Sequence, residues 1–232
     1  MVQQILQKAL LLLLCLVVSQ TAAAEVVTRL PVSGKLAALT FDACETSRPS
    51  HFDQKVLGFL VAEQIPCTVF LSGKFMRRNG EEIKRLARQY SFIEFENHSL
   101  THHQHMERLA PEQVRREVMT ADEMIMSLTG RKPLFFRFPA GNYDPRTLAQ
   151  VESLGYRVVH WTFPSGDPDK KITSQKLTSW VLSRTRGGSI LIFHINGRGY
   201  HTGEALPGIV SDLRRQGYRF VRLDEILPPA RP

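Results

Sequence analysis

Short runs rich in β-branched and aromatic residues alternate along this chain with stretches whose apolar positions recur at helical spacing. The runs are Leu36–Asp42, Cys67–Leu71, Phe92–Phe95, Leu134–Phe138, Tyr156–Trp161, Ser189–His194 and Tyr218–Leu223. Helical stretches fall between them at about 51–64, 80–90, 111–128, 145–154, 174–186 and 203–216. Pro111 stands at a first helical position, Gly130 follows the third helix, and Gly155 and Gly217 precede the fifth and seventh strands, which are the expected start and stop signals. Seven strands separated by six helices predict an α/β fold of parallel βαβ units with right-handed crossovers. A (β/α) barrel fits this alternation better than an open sheet.

The N-terminus departs from the alternation. Lys8 supplies a positive charge, Ala9 to Val18 is an unbroken apolar run, and Ala22-Ala23-Ala24 offers small residues for cleavage. This reads as a secretory signal peptide over 1–24, because a run of about 10 residues is too short for a spanning helix, which needs about 20. Cys15 follows Leu14 within the run, so it does not read as a lipid-attachment site. The expected product is an exported domain over 25–232, periplasmic or secreted, with no transmembrane segment and enough length for one substantial core. The sequence assigns it no oligomeric state.

Composition is that of a globular protein, 43% hydrophobic and 22% charged, which argues against a disordered or fibrous chain. Net charge is +8, and loss of Lys8 leaves it at about +7, so an exported partner with an anionic surface is expected. The basic residues are dispersed and form no nucleic-acid module, so nucleic acid is not expected. Cys44 lies past the end of the first strand and Cys67 opens the second. If those strands are parallel neighbours, the thiols are too far apart to bridge and stay free.

Chemistry collects where the strands end, the face on which barrel active sites lie. Asp42 ends the first strand and His98 and His102 follow the third. Arg137 lies near the end of the fourth, Asp167 and Asp169 beyond the fifth, and His194 closes the sixth. Placed on one helical turn, His98 and His102 would stand about 5–6 Å apart and share a divalent ion.

Thr40-Phe41-Asp42, His98-Ser99-x-x-His102, Arg137-Phe138-Pro139-x-Gly141, the aspartate-bearing loop after Trp161, and Ile192-Phe193-His194 occur in order over most of the chain. The set resembles the motif series of the polysaccharide deacetylases, the NodB-homology group of carbohydrate esterases. That resemblance implies a distorted (β/α)7 barrel and metal-dependent hydrolysis of acetyl groups on N-acetylated sugars of an acetylated polysaccharide or peptidoglycan. It implies His98 and His102 as metal ligands, Asp42 as general base, His194 as general acid, Arg137 pairing with Asp42, and Asp167, ahead of Asp169, orienting His194. The ion is expected to be zinc, with cobalt or nickel as alternatives.

One position departs from that series. The family has two consecutive aspartates in its first motif, base then metal ligand, whereas Asp42 is followed by Ala43, Cys44 and Glu45. Three arrangements stay open: two histidines with waters, Glu45 as substitute, or Asp42 itself on the metal. Cys44 is chemically a zinc ligand as well. The departure also motivates a second reading, a catalytically silent relative that binds glycan or metal. Phe138, Tyr143 and Trp161 are candidates for sugar stacking, a backbone amide near Asn142-Tyr143 for an oxyanion donor, and Arg198 and His201 for substrate contact.

Overall fold

A computed structural model describes residues 25–45 and 47–230; the segment 1–24, read above as a signal peptide, lies outside them. Seven strands are present: β1 (Leu36–Ala43), β2 (Cys67–Leu71), β3 (Ile93–Asn97), β4 (Phe135–Phe136), β5 (Arg157–Val158), β6 (Ser189–His194) and β7 (Arg219–Val221). Between them run α1 (Gln54–Ala62), α2 (Gly73–Gln89), α3 (Pro111–Thr129), α4 (Pro145–Ser153), α5 (Ser174–Arg184) and α6 (Thr202–Arg215). All strand pairs are parallel, in the order β5-β4-β3-β2-β1-β6. β7 joins the start of β1 on the edge that β2 occupies further along. A parallel bridge between Phe163 and Leu191 brings the chain beyond β5 against β6, which closes the sheet into a distorted (β/α)7 barrel. Among the described residues no helix is long and apolar enough to cross a membrane.

The period-2 alternation of the strands sorts their side chains. In β1, Leu39, Phe41 and Ala43 enter the large apolar layer beneath the helices. Thr40 and Asp42 lie on the opposite face, where Ala38, Phe70, Phe135, Val159 and Ile190 form a second cluster. Cys67 falls level with Leu39 by the β1–β2 register, so Cys44 lies about 16 Å further along at about 3.3 Å per residue. Both thiols are free and buried.

β4 and β5 are shorter than the sequence predicts because other groups take their hydrogen bonds. The Leu134 and Phe135 amides donate to Glu96 Oε2 at 2.8 and 2.6 Å, and the His160 amide donates to Val27 O at 2.9 Å. The helix predicted from residue 80 begins at Gly73, because the buried Ser72 caps it by accepting from Phe75 N. The helix kinks at Asn79, whose side-chain amide donates to Phe75 O and Ser50 O.

Two carboxyls lie inside the barrel away from the Asp42 end. Glu94 and Glu96 are 6% and 3% exposed and lie on the same face of β3, two residues apart. Burial, with the charge of Asp224, pushes Glu94 up to about 7, and burial with the charge of Glu94 raises Glu96 as well. Thr68, the Leu223 and Asp224 amides and Arg222 also face the pair. A raised folded-state pKa gives stability that is complete below the unfolded value near 4.5 and is lost as pH rises through the folded one. Urea denaturation from pH 5 to 8 should therefore show a falling contribution, at most about 1.4 kcal/mol per pH unit for each proton. Glu96→Gln should flatten that slope; identical slopes in both proteins would contradict it.

Candidate active site

Asp42 and His194 are register partners on β1 and β6. Both line a cavity of about 270 Å³ together with Cys44, His102, Trp161 and Arg198. Asp42 Oδ1 accepts from Arg137 Nη1 at 2.8 Å, and its Oδ2 lies 3.5 Å from His98 Nε2. Burial by itself would favour the neutral acid, but the charges of His98, Arg137 and His194 outweigh it and hold Asp42 at about 2. It is an anion across the working pH range.

Arg137 is fully buried, a position a cation tolerates only when its donors are met. Its Nη2 donates to Thr40 Oγ1 and to His160 O, both at 2.9 Å, and Nε donates to Val159 O at 3.2 Å. Its guanidinium lies 4.0 Å from the Phe70 ring centroid. The planar fork is locked on every side, so it fixes the direction of the Asp42 carboxylate.

The His98–His102 segment is a loop, which corrects the expected helical turn. Ser99 and His102 have φ of 68° and 58°, a left-handed backbone that breaks a helix. Asn97 Oδ1 accepts from Ser99 N at 2.9 Å, and Glu117 on α3 accepts from Thr101 N and Oγ1 at 2.8 and 2.7 Å. Gly73 is needed beneath it, because a Cβ there would stand 2.7 Å from Leu100 O. The loop still brings the two imidazole centroids within 4.9 Å.

His98 Nδ1 donates to Arg137 O at 2.8 Å, which leaves Nε2 with the lone pair. That Nε2 and His102 Nδ1 are buried without a hydrogen-bond partner. Burial lowers both imidazoles, and His102, with the added charge of His98, falls to about 3. Neutral rings with orphaned nitrogens are what a metal ligand requires. Among the described residues, no three His, Cys, Asp or Glu side chains form a ready metal cage. The donor set therefore fits a divalent ion at His98 and His102 without a finished third ligand.

Glu45 does not turn inward, since Arg78 holds its carboxylate at 2.6 and 3.3 Å and Ser50 N donates to it at 3.1 Å. Ala43 is sealed in the apolar layer. Cys44 Sγ accepts from Asn196 Nδ2 at 3.2 Å, and burial with the charge of Asp42 pushes the thiol up to about 11.

His194 Nδ1 donates to Asp167 Oδ1 at 3.0 Å, which leaves Nε2 as the free ring nitrogen. Asp167 is fully buried, and its Oδ2 also accepts from His194 N at 2.7 Å and Thr202 Oγ1 at 3.0 Å. Asp169 is exposed and caps Lys171 N. Burial pulls the His194 imidazole down, but the hydrogen bond and charge of Asp167, with the charge of Asp42, outweigh it and leave a net rise. The His194 proton should therefore be held at pH values where an ordinary histidine has lost it. Asp167→Asn should lower that titration below the ordinary range, followed by NMR of the imidazole carbons; an unmoved midpoint would refute the pairing.

Thr40, Asn196 and Thr202 complete these networks; the sequence reading gave none of them a role. Thr40 had a signal, since it lies two residues before Asp42 and so on the same strand face. The Asn142 amide bonds to Pro139 O, so it is not a free oxyanion donor. Phe138 is buried, while Tyr143 is exposed and stacks on it at 5.5 Å.

A buried carboxylate, a locked guanidinium and imidazoles gather at the carboxyl rim of a parallel α/β barrel, the face on which such folds carry their sites. The chain belongs to the polysaccharide deacetylase family, whose sequence profile matches residues 29–159. It is 28% identical over 194 residues to the peptidoglycan-N-acetylmuramic acid deacetylase PdaA of Bacillus subtilis (strain 168), covering 82% of this chain and 70% of that one. A family 4 acetyl xylan esterase from Clostridium thermocellum, solved with a cobalt ion, superposes with TM-score 0.72 at 27% identity over 83% of this chain and 90% of its own. A family 4 pseudoenzyme from Bacillus anthracis shares the fold with TM-score 0.77 at 22% identity, covering 88% and 69%.

Proposed function

We propose that this chain is an exported, metal-dependent deacetylase that hydrolyses acetyl groups from N-acetylated sugars of a cell-wall or extracellular glycan, peptidoglycan included. The observation that carries the reading is one cavity holding an ionised carboxylate, Asp42, beside an imidazole whose proton is retained by a buried partner, His194 with Asp167. The relative named for deacetylating peptidoglycan supports the substrate class.

His98 and His102 would hold the ion, with zinc first and cobalt or nickel as alternatives. When bound, a divalent ion polarises a carbonyl and lowers the pKa of water from 15.7 towards about 7. Asp42, aimed by Arg137, receives the proton of the attacking water. His194 gives its own proton from Nε2 to the sugar nitrogen as the carbon–nitrogen bond breaks, so the products are acetate and a free amine. Asp167 keeps the imidazole in the tautomer and orientation that this transfer needs.

Acetate release from peptidoglycan and from N-acetylglucosamine oligomers, with zinc or cobalt and after chelation, tests the assignment. Release that chelation removes is expected. A second reading, a silent glycan binder, is favoured by Ala43 and the missing third carboxylate. Saturable glycan binding with no acetate released from any substrate would establish that reading and overturn the first.

A further inference from the structure

We infer that Arg198 makes this cavity selective for a carboxylate-bearing N-acetylated sugar, so that the preferred substrate is an acidic glycan rather than a neutral one. This rests on the deacetylase reading of the same cavity and adds to it the charge of the sugar that enters.

Arg198 lines the cavity beside His102, His194 and Cys44. The carboxylates that line it with Arg198 are already matched, Asp42 by Arg137 and Asp167 by His194. No carboxylate oxygen among the described residues lies within 4.0 Å of the Arg198 guanidinium. Its Nη1 lies 4.0 Å from the neutral Cys44 thiol. A half-buried guanidinium facing a site that holds no anion for it is surplus positive charge, and its planar fork suits a carboxylate. A neutral N-acetyl sugar would leave those donors facing a cavity from which it displaces water, which is unfavourable.

The position is built rather than incidental. Arg198 N donates to Asn196 Oδ1 at 3.3 Å, and Asn196 is latched onto Cys44. On the other side Gly199 passes so close to the acid–imidazole pair that a Cβ there would meet His194 O at 2.5 Å and Asp167 Oδ2 at 2.7 Å. The network that orients His194 therefore also fixes the backbone carrying Arg198. Across the Pro164–Gly166 strip, a groove of about 720 Å³ carries Lys171, Lys176 and the exposed Trp180. Asp169, which also lines it, is turned back onto the Lys171 amide. A polyanionic strand leaving the cavity on that side meets further positive charge, including Arg184, whose guanidinium lies 3.6 Å over the Trp180 ring.

Calorimetric binding tests this without needing turnover. The probes are peptidoglycan strands freed of their peptides, the same strands with their carboxyls amidated, and chitotetraose. The wild type should bind the carboxylated strands about 10- to 100-fold more tightly than either neutral probe, the range expected for one charge-assisted contact. That margin should narrow as salt is raised. In Arg198→Gln it should shrink to within about threefold, and Arg198→Lys should keep part of it. Equal wild-type affinity for amidated and carboxylated strands would overturn the inference, as would a full preference retained in Arg198→Gln. A carboxylate preference in a protein that releases no acetate would leave this inference standing and remove the catalytic one. Acetate release with no such preference would do the reverse.

Discussion

Asp42→Asn should slow acetate release by about three orders of magnitude in kcat, within the range for loss of a general base, while KM for the glycan changes little. The substitution keeps the shape at the end of β1. An amide oxygen can still accept from Arg137 Nη1, and Arg137 keeps its bonds to Thr40, Val159 O and His160 O. What is lost is the negative charge, held in the native protein at about 2 by the positive groups around it. Initial rates per folded molecule, with folding checked by circular dichroism, decide the matter. A rate within threefold of the wild type would mean that another group takes the proton.

Arg137→Met should cost about 3–5 kcal/mol of stability, the scale found when one partner of a buried ion pair is removed. Asp42 would be left as an unmatched charge that is only 5% exposed. Thr40 Oγ1, Val159 O and His160 O would also lose the donor they share. Lysine should not restore the loss, because one ammonium cannot serve acceptors spread over β1 and the segment beyond β5. Urea denaturation at pH 7 measures the difference. A loss below about 1 kcal/mol would show that the barrel relaxes around the missing cation.

The two expectations rest on features that were unequally legible in the sequence. β1, β2 and β6 stand out as dense apolar runs because their ladders are complete. The runs read at Leu134–Phe138 and Tyr156–Trp161 overshoot because a pattern of side chains does not reveal that Glu96 and the Val27 segment intercept the amides. The closeness of His98 and His102 was expected from a helical turn, which the chain does not form there. Ring proximity comes from a left-handed loop anchored by Asn97 and Glu117, contacts that spacing cannot supply. Glu45 was eligible by charge and is spent on Arg78, a partner 33 residues away.

The chain by itself determined the succession of parallel strands and helices, and with it which acids and imidazoles fall at strand ends, because both follow from periodicities of two and 3.6 residues within short windows. Tertiary structure alone decided that Asp42 and His194 share a register, that Arg137 reaches Asp42 across 95 residues of sequence, and that Arg198 faces the same cavity with no carboxylate of the described residues in reach. Those facts depend on barrel closure and on the competition of distant groups for one donor or acceptor. Neither is encoded in any short stretch of residues.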